Sequence, residues 1–271
     1  MRPIQNLHTH TTYCDGANTP EEMIRGAMDK GFASIGFSGH SYMHYAPSHS
    51  MSMEGSEEYC REIATLKQKY AGQIEVYCGL EFDMYSVVDL SGYDYLIGSA
   101  HYFLIDGEHV GFDRSAEVVR GVIDRYFGGD GMKYARAYYR QLASLPDFGS
   151  FDILGHFDLI AKHAEKQNFF DMSSRQYLNI AFETIEALSG RIPFFEVNTG
   201  AIARGYRTSP YPTLPMMKEF RRQGFGAVIT SDCHDKSKLD CGFEQAAQLL
   251  KEAGFTERYI PTRGGFTTVA L

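Results

Sequence analysis

No tryptophan occurs among these 271 residues, although phenylalanine (19) and tyrosine (18) are plentiful. Those rings are assigned to core and rim packing, not to a platform for stacking bases. Cysteine is scarce and odd in number, five in all, without framework spacing. That excludes a disulfide scaffold and points to free thiols in a reducing compartment. No apolar run approaches the roughly 20 residues that cross a bilayer. Met1-Arg2-Pro3 leads directly into a strand-like segment, without the apolar centre of a signal peptide. The expected location is cytoplasmic, with no membrane partner. Positive charge is also short: 26 Lys and Arg against 34 Asp and Glu leave a net charge of −8. A nucleic-acid surface would carry the opposite sign, so no nucleic-acid partner is expected. A small anionic substrate stays open, because bound metal can supply positive charge locally. No linker, charge block or internal repeat divides the chain. One domain over residues 1–271 is expected, long enough for a large core.

What is present is an alternation of strand-like and helix-like segments. Thr19-Pro20-Glu21-Glu22 has the form of a helix start, with Thr19 as N-cap and Pro20 at the first helical position. That helix is expected to run to about Lys30 and stop at Gly31. Further helices are expected over 56–70, 116–127, 132–145, 173–188, 213–223 and 243–253, with a break at Gly128-Gly129-Asp130-Gly131. About seven strands fall between them, and the β-then-α order favours a parallel sheet with right-handed crossovers. The stretch Tyr42 to Gly55, rich in His, Ser and Met, follows neither period and reads as a loop over the site.

The strand-like runs share one property: His, Asp or Glu lies at or just after each end. Ile4-Gln5-Asn6-Leu7 leads into His8-Thr9-His10, with Asp15 following, and Ser34-Ile35-Gly36-Phe37 precedes His40. Ile74 to Leu80 precedes Glu81, Tyr95 to Gly98 precedes His101, and Phe151 to Leu154 precedes His156. Ala227 to Thr230 precedes Asp232 and His234. Strand ends of a parallel barrel gather on one face. Residues i and i+2 of an extended chain project to one side, so His8 and His10 can chelate one ion, and Asp232 with His234 repeats the arrangement. Mixed imidazole and carboxylate ligands suit Zn²⁺, Mn²⁺ or Fe²⁺ better than Ca²⁺ or Mg²⁺. His44, His49, His109 and His163 lack a strand end or a paired ligand and are read as ordinary polar residues, and Cys14 and Cys233 as packed thiols.

In order along nearly the whole chain, His8-Thr9-His10 with Asp15, Gly39-His40-Ser41, Gly79-Leu80-Glu81, Ser99-Ala100-His101, Gly155-His156-Phe157-Asp158 and Ser231-Asp232-Cys233-His234 resemble the PHP (polymerase and histidinol phosphatase) family. Ser99 to Phe103 and Glu196 to Gly200 resemble its monofunctional histidinol-phosphate phosphatases. The resemblance implies an α/β fold, a distorted TIM-like (β/α)7 barrel with the active site at the C-terminal ends of the strands. It implies two to three divalent ions (Zn, Mn or Fe). His8, His10, Glu81 and Asp232 would hold the first; Glu81, bridging, with His101 and His156 the second; Asp15, His40 and His234 the third. Many PHP proteins carry His where this chain has Asp15, which changes the charge of the third site without removing a ligand.

The activity so implied is hydrolysis of L-histidinol phosphate to L-histidinol and phosphate in histidine biosynthesis, by attack of a metal-bridging hydroxide on phosphorus. Two other readings remain: a PHP-type phosphoesterase acting on nucleotides or another small phosphomonoester, and a non-catalytic metal-dependent binding domain. Arg204 and Arg207, in the loop after the strand Phe194 to Asn198, are the expected phosphate ligands, since the guanidinium fork matches phosphate oxygens. Asp232 or His234 is considered for leaving-group protonation, beside a metal-bound water. Asp106, Glu108 and Asp113 are acids considered for the substrate's ammonium and imidazole. Oligomeric state is not legible.

Overall fold

Seven segments, largely buried on both faces, become seven parallel strands because helices cover one side and a barrel interior fills the other. The computed structural model describes residues 5–271; Ile4, expected in the first strand, and Met1-Arg2-Pro3 lie outside them. The strands are β1 (Gln5–Asn6), β2 (Ser34–Phe37), β3 (Glu75–Asp83), β4 (Tyr95–Ser99), β5 (Tyr102–Ile105), β6 (Glu108–Gly111), β7 (Ile153–Leu154), β8 (Phe194–Asn198), β9 (Gly226–Thr230), β10 (Glu257–Thr262) and β11 (Gly265–Ala270). The helices are α1 (Pro20–Asp29), α2 (Met53–Lys69), α3 (Ala116–Phe127), α4 (Gly131–Ala143), α5 (Arg175–Leu188), α6 (Gly200–Ala203), α7 (Leu214–Arg222) and α8 (Phe243–Glu252). The main sheet runs β1-β2-β3-β4-β7-β8-β9, all parallel.

Beyond its outer strands the sheet nearly closes. Thr9 bridges Cys233, His10 N donates to the Cys233 carbonyl at 2.8 Å, and Cys233 N donates to His8 O at 3.1 Å. Below this, side chains replace the ladder: Ser231 N donates to Asn6 Oδ1 at 3.2 Å, and Asn6 Nδ2 donates to Leu239 O at 3.1 Å. The interior is a small apolar plug of Leu7, Tyr77, Tyr95, Ile97, Ile153 and Val228. Tyr95 fills space that glycines leave: a Cβ on Gly79 would lie 2.3 Å from its ring. Its hydroxyl donates to the carbonyls of Leu7 and Phe37. A larger core packs the helices onto the outside of the sheet.

Local signals set the helix ends. Thr19 caps α1 in a reciprocal capping box, its side chain accepting from Glu22 N while the Glu22 carboxylate accepts from Thr19 N at 3.0 Å. Such a cap contributes about 1 kcal/mol. Helix α2 starts three residues before the expected Ser56, because Ser52 accepts from Gly55 N at 2.9 Å. Two antiparallel hairpins were not expected, β5–β6 and β10–β11. The second seals the barrel at the N-terminal strand ends, with Tyr259 and Phe266 against Phe194 and the interior plug. Among the described residues no helix is long and apolar enough to cross a membrane.

Candidate metal centre

At the other end of the barrel each strand delivers its ligand-type residue to one mouth. Glu81 sits within β3 at the centre, buried, its backbone bridged to His40 beyond β2. Its two oxygens face opposite groups. Oε2 lies 3.2 Å from His8 Nε2, 3.6 Å from His10 Nε2 and 2.9 Å from His40 Nδ1. Oε1 lies 2.9 Å from His156 Nε2 and 3.7 Å from His101 Nε2. Asp232 Oδ1 lies 3.3 Å from His10 Nε2 and 3.9 Å from His8 Nε2. The third group forms on Asp15 Oδ1, which is 3.3 Å from His234 Nε2, 3.8 Å from His40 Nε2 and 3.7 Å from His10 Nδ1. Gly16 permits this last approach, since a Cβ there would meet the His10 backbone at 2.5 Å.

The donor atoms fit cations. Bonds of about 2.1 Å to a four-coordinate ion place its ligands about 3.4 Å apart, close to the separations around Glu81 Oε2 and Asp232 Oδ1. Among the described residues, His8 Nε2, His10 Nε2, His40 Nδ1, Asp15 Oδ1 and Glu81 Oε2 are buried without a hydrogen-bond partner. Buried polar atoms left so are costly unless something else engages them. His10, Asp15, His40 and His234 form one group of suitable spacing; His8, His10 and Asp232 a second; His40, Glu81 and His101 a third. All nine residues expected at the site are thus brought together. His10 and His40 each face two groups through different ring nitrogens, so the three sets overlap more than the sequence suggested.

Electrostatics prepares the same groups. Burial opposes ionisation of Glu81, yet His8, His40 and a hydrogen bond from His156 hold its carboxyl well below the usual range. Burial likewise opposes ionisation of Asp232, and Arg204 and His8 outweigh it. Burial, with His234 and His40 nearby, pushes His10 down to about 3, so its imidazole is neutral. Asp232 has φ +46°, a left-handed conformation uncommon outside glycine that costs on the order of 1–3 kcal/mol. The turn sends its carboxylate into the mouth while Cys233 packs away, its Sγ 2.7 Å from Asp235 O. Cys14 lies closer than expected, 3.5 Å from His10 Nδ1, but burial raises its thiol and it stays protonated.

Two carboxylates unassigned from the sequence orient the imidazoles. Glu196 Oε2 accepts from His8 Nδ1 at 2.8 Å, and its other oxygen accepts from His156 N and from Asn198 Nδ2. Asp83 Oδ2 accepts from His101 Nδ1 at 3.0 Å. A carboxylate only accepts, so each ring donates from Nδ1 and turns Nε2 toward the mouth. The signal existed: Asp83 follows Glu81, and Asn198 follows Glu196, at the i+2 spacing that shares a strand face.

The mouth opens into a cleft of about 330 Å³ lined by Met43, His49, Tyr102, Asp113, Lys162, Arg204 and Tyr206 among others. Arg204 reaches it, donating to Asp232 Oδ2 at 3.0 Å and pointing Nη1 at His234 Nδ1 at 3.1 Å. Arg207 does not. It is buried behind the loop, donating to Asp158 Oδ2 at 3.1 Å and lying over the Tyr211 ring, so its charge is spent inside the protein. Of the three acids considered for the rim, Asp113 lines the cleft, while Asp106 and Glu108 lie in the β5–β6 hairpin. His49, read as an ordinary polar residue, is on the rim.

The architecture is thus a parallel barrel whose strand ends bring imidazoles and carboxylates together at spacings that could hold cations. The PHP domain profile matches residues 6–200, and the chain belongs to the PHP family. Its relatives include a probable histidinol-phosphatase of Deinococcus radiodurans, 28% identical over 270 residues that cover 94% of this chain and 95% of the relative. The histidinol-phosphatase of Bacillus subtilis is 25% identical, covering 88% of this chain and 96% of its own. Among solved structures, a histidinol phosphate phosphatase of Lactococcus lactis complexed with zinc, L-histidinol and phosphate shares the fold, with a TM-score of 0.76 at 21% identity over 97% of this chain and 98% of the other.

Proposed function

We propose that this protein is a metal-dependent phosphatase that hydrolyses L-histidinol phosphate to L-histidinol and phosphate. The observation that carries the reading is the set of buried, unpartnered His, Asp and Glu atoms at cation-ligand spacing, opening onto a cleft beside Arg204. Relatives named histidinol-phosphatase over nearly their full length support the substrate. Two to three divalent ions, zinc, manganese or iron, would be held by the nine residues, and when bound they activate water and neutralise phosphate charge.

The chain's own residues do the rest. Arg204, about one-third exposed, is held by Asp232 and turns its free edge to the cleft, where it binds and orients phosphate. Asp232 is ionised and shared with Arg204, and His234 receives Arg204 Nη1 at Nδ1 while its Nε2 faces Asp15, so both groups serve as ligands and the leaving oxygen takes its proton from water. Asp113, ionised against Lys162 at 3.1 Å, is the cleft-lining acid of the three considered and the one to receive the substrate's ammonium. The single-domain organisation over residues 1–271 belongs to the same reading.

The test is phosphate release from L-histidinol phosphate beside a nucleotide monophosphate and an aryl phosphate, with metal content measured on the same sample. Strong preference for histidinol phosphate, abolished by chelation and restored by zinc or manganese, is expected. Equal or better turnover of the nucleotide overturns the substrate; bound metal without turnover of any phosphoester overturns the activity.

A further inference from the structure

Loop residues 42–52 do not simply overhang the cleft; one side chain ties them to the metal centre. Tyr45 stacks face to face on His109 of β6, ring centroids 3.7 Å apart and planes 6° apart, with Tyr102 edge-on at 5.0 Å. Its hydroxyl donates to Asp83 Oδ1 at 2.7 Å. The other oxygen of this buried carboxylate accepts from both Nδ1 (3.0 Å) and the backbone N (3.1 Å) of His101. The Asp83 backbone N donates to Ser41 Oγ at 3.0 Å, next to His40. The same loop supplies Met43 and His49 to the cleft wall.

We propose that Asp83 is a positioning residue that couples the seating of the 42–52 loop to cation affinity at the His101 side of the centre. The inference rests on the metal-binding reading above. Without the Tyr45 hydroxyl, Asp83 Oδ1 keeps only a long contact from Tyr85 N, 3.4 Å. The carboxylate is then free to rotate, and the orientation of the His101 ring loosens with it. Coupling of this kind is reciprocal: a seated loop favours the ion, and the ion favours a seated loop by the same factor.

The experiment is zinc titration by calorimetry on wild type, Asp83→Asn and Tyr45→Phe, with hydrogen exchange of residues 42–52 measured with and without zinc. Asp83→Asn should weaken the affected site by about 10- to 100-fold, the usual effect of removing an imidazole's orienting partner. Tyr45→Phe keeps the stack on His109 and tests the hydroxyl alone; about 5-fold weaker binding is expected, at the low end of measured couplings. Zinc should slow loop exchange in wild type and lose that effect in Tyr45→Phe. Wild-type zinc binding with Tyr45→Phe affinity within about twofold and loop protection intact overturns the coupling alone. No zinc binding by wild type overturns both the coupling and the metal-binding reading.

Discussion

Arg207→Met tests whether this guanidinium serves the fold or the substrate. Arg207 and Asp158 are both fully buried, 3.1 Å apart, and Arg207 also faces Glu165 at 3.5 Å and lies 4.5 Å from the Tyr211 ring centroid. Removing one partner of such a pair strands the other charge, at about 3–5 kcal/mol. A domain whose whole stability is about 5–15 kcal/mol would feel that as a large loss. Replacing both partners is different. Burial raises the Asp158 carboxyl despite Arg207 beside it, so the pair does not fully offset its own desolvation. Arg207→Met with Asp158→Leu should therefore recover most of the loss, as apolar replacements of buried pairs commonly do. Urea unfolding of the three proteins reads the stabilities, and steady-state kinetics well below the unfolding midpoint reads the folded enzyme. Expected are a single variant weaker by about 3–5 kcal/mol, a double variant near wild type, and kcat/KM changed by less than about tenfold in each. Stability within about 1 kcal/mol of wild type together with a kcat/KM loss of several orders would refute the reasoning and return Arg207 to the phosphate.

Arg204→Ala should show a different signature, a kcat loss of about 10²–10³ with a smaller stability loss than Arg207→Met, because Arg204 is partly exposed on the cleft wall and His8 and His10 stay beside Asp232; phosphate-release kinetics and urea unfolding check it. Gly79→Ala puts a Cβ 2.3 Å from the Tyr95 ring and should destabilise by about 1–3 kcal/mol through overpacking, read by thermal unfolding. Zinc at about 100 times its dissociation constant should raise unfolding stability by about 2.7 kcal/mol, an increment that chelation removes; an unchanged denaturation curve would speak against binding to the native state.

The candidate ligand set was legible because its spacing is local and its placement topological. His8-Thr9-His10 and Asp232-Cys233-His234 carry the i, i+2 signature, and parallel strand ends must meet at one face whatever the details between them. Boundaries moved where a cap outranked the apolar period, as at Ser52. The β5–β6 hairpin had a local signal: Asp106-Gly107 has positive φ at both residues, 52° and 82°, the turn in which that dipeptide excels. Glu108 beside it lies in a strand and not in a loop reaching over the cleft. Arg207 was not legible. A loop arginine reads as solvated, and only its distant partner Asp158 shows that it is buried. The overlap of His10 and His40 between groups is a matter of ring orientation, which no spacing rule encodes.

The gap between β1 and β9 gives the mouth a second consequence. Asn6 and Ser231, which meet across it, are 225 positions apart in sequence. The candidate ligands straddle the same gap, His8 and His10 on one side, Asp232 and His234 on the other. An ion held by both sides is a reversible crosslink between the two ends of the sheet, closing a loop nearly as long as the chain. By the chain-entropy account of crosslinks, a tie of that span removes about 5 kcal/mol of freedom from the unfolded ensemble. The cation would then act on the fold as a clasp acts on a bracelet, with its grip set by where the chain's ends meet as well as by the strength of its bonds.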